Sequence, residues 1–200
     1  MTTNAISQGV PGEQSHRVVF VDAGLAGLDA LLAQLPEGIE IVRIGADEDA
    51  LSVMADWAEG KSGYASVHVF SHGAAGSLAL GSVPIDAAAI EARAVDLAQF
   101  SSALTGGADI LLYGCDVGAG DAGNHFVEAL AKATGADVAA SDDLTGAAAR
   151  GGDWALEVAT GPIETAAFTA PAWDATLAVS YTVGDLFPNL VAGTNGSTST

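Results

Sequence analysis

Two residues in this 200-residue chain stand where a proton-transferring pair would have to stand. His72 follows the apolar run Val67-His68-Val69-Phe70, and Cys115, the sole cysteine, follows Ile110-Leu111-Leu112-Tyr113. Each run reads as a buried strand of a parallel sheet. Ligands of such sheets collect beyond the carboxyl ends of the strands. Neighbouring strands lie about 5 Å apart, so an imidazole and a thiol at adjacent strand ends would face each other. The imidazole can take the thiol proton and later return it to a leaving amine. Gly73 and Gly114 flank the pair, where they let a substrate backbone approach and leave N–H groups free for a developing oxyanion.

The elements that would hold this pair can be read along the chain. Arg17–Asp22, Ile39–Ile44, Val67–Phe70, Asp109–Tyr113, Asp137–Ala140 and Trp154–Val158 are predicted strands. Between them, Leu28, Leu31, Leu32 and Leu35 repeat at helical spacing up to Pro36. Asp47 is a predicted cap for a helix carrying Leu51, Met54, Ala55 and Ala58. A small hairpin is predicted over Leu78–Ile85, a helix from about Asp86 to Leu104, and another through Phe126, Leu130 and Ala133, ended by Gly135. Strands alternating with helices predict an α/β fold of three layers, a mainly parallel six-stranded sheet between helices. Residues 1–16 read as disordered, 17–170 as the domain, and 171–200 as a linker or the start of a following region.

An apolar block ending in His-Gly, followed by one ending in Gly-Cys, resembles the clan of caspases, legumain, gingipains and clostripain. Here the blocks are Val67–Gly73 and Ile110–Cys115. Their separation is close to the roughly 50 residues of caspases. The resemblance implies a caspase-like fold with His72 as general base, Cys115 as nucleophile and the amides of Gly73 and Cys115 as oxyanion donors. The Gln-Ala-Cys-Arg-Gly run of caspases is absent, and Asp116 beside the thiol opposes thiolate formation. Leu112–Gly120 and Ala139–Gly152 further resemble an uncharacterised domain near the N-termini of giant bacterial surface adhesins and repeats-in-toxin proteins. That likeness implies a secreted or cell-surface setting within a larger exported protein, and its own parent chain as a substrate.

Specificity would come from side chains at the strand ends. Asp22, Asp142 and Asp143 are the candidate substrate-binding carboxylates, and they predict a basic residue before the scissile bond. Arg150-Gly151-Gly152 is the internal sequence that would meet that preference. Two alternatives compete: an inactive caspase-like scaffold for adhesion or assembly, and a dinucleotide-binding domain built on Gly118-Ala119-Gly120-Asp121-Ala122-Gly123. Neither the peptidase nor the scaffold requires a cofactor. Calcium is conceivable at Asp121, Asp142, Asp143 and Asp153, although EF-hand spacing is missing. A net charge of −19 argues against nucleic acid and anionic membranes as partners. One cysteine excludes an intrachain disulfide and a Cys-based metal site. No apolar run reaches membrane-spanning length.

Overall fold

The computed structural model describes residues 16–178. The expectations for residues 1–15 and 179–200 lie outside the described residues. The chain runs β1 (His16–Asp22), α1 (Leu28–Leu32), β2 (Glu40–Ile44), α2 (Ala50–Ala58) and β3 (Tyr64–Phe70). Three short strands come next: β4 (His72–Ala74), β5 (Ser77–Ala79) and β6 (Ile85–Asp86). Then come α3 (Ala87–Ala92), α4 (Ala94–Ser101), β7 (Leu104–Tyr113), α5 (Gly120–Thr134), β8 (Asp137–Ala140) and β9 (Val158–Ala159). The result is a three-layer α/β fold around a six-stranded sheet of order β2-β1-β3-β7-β8-β9. Every neighbouring pair is parallel except β8–β9.

Alternation along the central strands sends side chains to two separate cores. Val18, Phe20, Val67, Val69, Ile110 and Leu112 meet α2 to α5 on one face. Val19, Val21, Phe70, Leu111 and Tyr113 turn to the other, where Leu28 and Leu31 of α1 cover only part of the sheet. A non-helical strap of residues 160–178 covers the rest, burying Phe168, Ala170, Trp173 and Leu177.

The strap begins at the amino-terminal end of the sheet, where the Thr160 amide donates to the Val138 carbonyl at 3.0 Å. The Asp109 carboxylate then accepts from the Glu164 and Thr165 amides at 3.1 and 2.7 Å. At mid-sheet the Phe168 amide donates to the Tyr113 hydroxyl at 2.7 Å. Further along, Trp173 Nε1 donates to the Ala26 carbonyl at 2.9 Å and Arg150 pairs with Asp174 at 3.2 Å. The linker composition places the domain boundary near residue 170. The structure corrects this for residues 171–178, because Trp173 and Leu177 are core residues.

Several local expectations are also corrected. Asp49, not Asp47, caps α2, accepting from the Ser52 amide at 3.0 Å. The helix expected from Asp86 to Leu104 breaks at Arg93. There the guanidinium turns to Asp49, Asp96 and Ser52 at 2.6, 2.5 and 2.8 Å. The strand expected over Trp154–Val158 shrinks to the antiparallel pair Val158–Ala159. The hairpin becomes a three-stranded sheet whose first strand starts at His72 itself.

Candidate active site

β3 and β7 are hydrogen-bonded neighbours, with Phe70 opposite Tyr113, so His72 and Cys115 leave the sheet at adjoining carboxyl ends. The two turns are in backbone contact. A Cβ placed on Gly73 would lie 2.7 Å from the Cys115 carbonyl oxygen, and one on Gly114 would lie 3.2 Å from the Ser71 carbonyl oxygen. Glycine at both positions is therefore what lets the turns close on each other. Asp116, immediately after the cysteine, has φ 62, the one non-glycine residue with positive φ among the described residues. Aspartate is one of the few non-glycine residues that adopt this conformation, and here its amide donates to the Asp143 carbonyl at 2.8 Å. Among the described residues the Cys115 amide has no acceptor, which leaves it available to an oxyanion.

The thiol is covered and held. Cys115 is 1% exposed, and its Sγ accepts from the Thr145 amide at 3.3 Å while the thiol donates to the Thr145 carbonyl at 3.6 Å. Burial pushes its pKa above the ordinary thiol value. The backbone bond from Thr145 opposes this, the charge of Asp116 adds to it, the backbone of Leu177 opposes it, and Asp143 adds again. His72 is half-buried, and its Nδ1 lies 3.0 Å from the Leu177 carbonyl oxygen. Because a carbonyl can only accept, Nδ1 carries the proton, and in the neutral ring Nε2 is the basic atom. Among the described residues no hydrogen bond joins His72 to Cys115. The backbone of Leu177 links them indirectly, its carbonyl on His72 and its amide on the Thr145 carbonyl that the thiol also meets.

The strap end that brings Leu177 there is itself paired as a strand. Ala147 donates to the Ala175 carbonyl at 2.9 Å, and Leu177 donates to the Thr145 carbonyl at 2.9 Å. Gly146 bridges Thr176 in antiparallel sense, and Gly73 bridges Ala178 in parallel sense. Gly146 has φ 137, and a Cβ there would lie 2.5 Å from the Ala175 carbonyl oxygen. Thr145, Gly146 and Leu177 are site residues that sequence reasoning missed. Their pairing is by single bridges without periodicity. The usable signals were the apolar Trp173 and Leu177 beyond the expected boundary.

Of the expected specificity carboxylates, the structure brings Asp142 and Asp143 together but not Asp22. Asp142 and Asp143 are exposed and cluster with Glu157, whereas Asp22 turns back to accept from the Gly24 amide at 2.7 Å and is outside that cluster. Arg150 does not offer a free loop, since Asp174 of the strap holds it. The glycines of 118–123 have a packing role. Any Cβ on Gly123 would fall 2.0 Å from the Gly118 carbonyl carbon, and the Gly118 amide is engaged by the Ser141 carbonyl at 2.7 Å. That amide is therefore not directed at a phosphate.

His68, in the strand before the site, is fully buried, with its Nδ1 3.2 Å from the Tyr113 hydroxyl and its ring stacked on Phe168. Burial, with a smaller effect from Arg17, drives its pKa down to about 3, so it is neutral and structural. His125 is exposed on α5. Two acidic groups could offer oxygen ligands to a hard cation: Asp142, Asp143 and Glu157 on the surface, and Asp109, Asp137 and Glu164 at the opposite end of the sheet. Asp121 and Asp153 belong to neither group.

No helix among the described residues is long and apolar enough to cross a membrane. Neither the curated proteins nor the solved structures contain a match to the chain. A protein-family match covers residues 18–177, from within β1 to the leucine held between His72 and Cys115. The chain therefore belongs to the family described as a domain of unknown function, DUF4347.

Proposed function

We propose that this domain is a cysteine endopeptidase of caspase-like architecture, with Cys115 as nucleophile and His72 as the proton carrier. One observation carries the reading: a peptide backbone, that of Leu177, is held at the ligand edge of the sheet with its carbonyl 3.0 Å from His72 Nδ1 and its amide on the carbonyl of Thr145, the residue that also holds the Cys115 sulfur. A backbone in that position is what an endopeptidase must hold. The Cys115 amide, without an acceptor among the described residues, is a donor such a site needs for an oxyanion. The substrate is a polypeptide, its own parent chain included. The resemblance to domains of exported adhesins supports a secreted or cell-surface location. The chemistry needs no cofactor; calcium, if bound, would use the carboxylate groups above. The cluster around Leu177 is apolar, which supports an apolar residue before the scissile bond over the basic one expected from Asp22, Asp142 and Asp143.

The test is covalent labelling by a peptidyl chloromethylketone, read by intact mass, in the wild type, His72→Ala and Cys115→Ala. Labelling at Cys115 that His72→Ala slows at least about tenfold supports the pair. Labelling indifferent to His72 removes it. The second reading, an inactive scaffold for adhesion or assembly, is favoured by the burial and raised pKa of the thiol. It predicts a folded Cys115→Ala protein with every property of the wild type.

A further inference from the structure

Resting on the peptidase reading, we infer that the strap is the domain's own substrate, seated for cleavage of the Leu177–Ala178 bond. Extended segments that add to a sheet edge bind through backbone hydrogen bonds, with alternate side chains entering pockets. Residues 175–178 meet that description. The Ala175 carbonyl and the Leu177 amide, two residues apart, pair with Ala147 and Thr145 across the antiparallel bridge at Gly146–Thr176. The intervening Thr176 is half-exposed, while Leu177 is fully buried. Its side chain belongs to the apolar cluster that includes Phe70, Leu111, Tyr113 and Cys115.

That register fixes the bond. The Leu177 carbonyl accepts from His72 Nδ1–H at 3.0 Å, which sets this carbonyl beside the proton carrier. The Leu177 amide donates to the carbonyl of Thr145, the residue that holds the Cys115 sulfur, and Ala178 is carried past the site by its bridge to Gly73. Leu177 thus presents the acyl side and Ala178 the leaving amine. The family match ends at residue 177, so the proposed cut falls at the edge of the matched domain.

The step balances without a further reagent. The thiol proton passes to the imidazole, and the sulfur attacks the Leu177 carbonyl carbon. The oxyanion collapses with rupture of the C–N bond, and the amine of Ala178 leaves with the proton from the imidazole. Water, deprotonated by the same ring, then attacks the thioester; the thiolate leaves and takes the proton back from the ring as the thiol, and the new Leu177 carboxylic acid releases its own proton to solvent. Attack requires the imidazole to swing from the carbonyl oxygen toward the sulfur, and the Thr145 amide bond that now holds Sγ to lengthen.

The full chain is incubated over a series of buffers, and its termini are read by mass spectrometry. The wild type, Cys115→Ala, His72→Ala and Ala178→Pro are compared. In parallel, an Ala-Thr-Leu chloromethylketone, which copies residues 175–177, is applied to each. The expected result is a peptide Ala178–Thr200 and a partner ending at Leu177, at a rate independent of protein concentration. Cleavage should be absent in Cys115→Ala and Ala178→Pro, and Leu177→Lys should slow it at least about a hundredfold. Cys115 labelling dependent on His72, with the Leu177–Ala178 bond intact, overturns the cleavage-site inference and leaves the peptidase reading standing. Cysteine-dependent cleavage at any other bond does the same. Neither labelling nor cleavage overturns both.

Discussion

If the strap gates the nucleophile, shortening Leu177 must expose Cys115. The Leu177 side chain is fully buried, at a place where the chain has only single bridges to hold it. Truncating a buried leucine costs about 2–5 kcal/mol, and the low end applies where the segment can relax. Taking about 2–3 kcal/mol, with a factor of ten for every ~1.4 kcal/mol, Leu177→Ala should raise the population with the strap lifted about 30- to 150-fold. Iodoacetamide reacts only with that population, so the second-order rate at Cys115 should rise by the same factor up to the rate of a free thiol. In the wild type the rate should lie well below that of a free thiol, because the sulfur is covered and its pKa is raised. The rate is followed by intact mass at about pH 8, near the ordinary thiol pKa, with far-UV circular dichroism and Tm as controls for global unfolding. A Leu177→Ala protein that stays folded and alkylates at about the wild-type rate would refute the gate.

Three other outcomes rest on the same contacts. Gly146→Ala places a methyl 2.5 Å from the Ala175 carbonyl at φ 137, so it should also raise Cys115 alkylation, and lower stability by about 1–3 kcal/mol in urea. His68 titrates near 6.5 unfolded and about 3 folded, so between those values only the unfolded chain takes up the proton. Stability from this group is complete above pH 6.5 and falls by up to about 1.4 kcal/mol per pH unit below it. His68→Phe keeps the stack on Phe168 and should flatten that part of a urea-midpoint profile against pH; an unchanged slope would assign it elsewhere. Asp109→Ala removes the acceptor for two strap amides and should cost about 2 kcal/mol, read as a lower Tm; an unchanged Tm would show that water replaces it.

The strands carrying His72 and Cys115 were legible because Val67–Phe70 and Ile110–Tyr113 are continuous apolar runs, the pattern of strands buried on both faces. Their adjacency was not written in either run. It comes from tertiary packing, with the closing of Gly73 on Gly114 as its local sign. Arg93 lies in a stretch of uniform helical character, and only its pairing with Asp49 across the fold explains the break. The strap was missed for a different reason. Pro162 and Pro171 punctuate it, it has neither the period of a helix nor that of a strand, and its order comes from distant partners such as Asp109, Tyr113, Ala26 and Thr145. The carboxylates at strand ends were legible as residues but not as a pocket, since Asp22 satisfies its own turn.

The path of residues 160–178, from the start of the sheet to its far edge, also decides how the domain would answer a pull. A load on the chain beyond Ala178 enters at the Gly73–Ala178 and Gly146–Thr176 bridges, which are isolated pairs. Isolated pairs give way one after another, as in peeling tape, whereas the long ladders among β1, β3 and β7 share a load across many bonds at once. Tension would thus strip Leu177 from its seat before it disturbed the sheet, and the thiol beneath would be uncovered by force while the rest of the fold stayed closed.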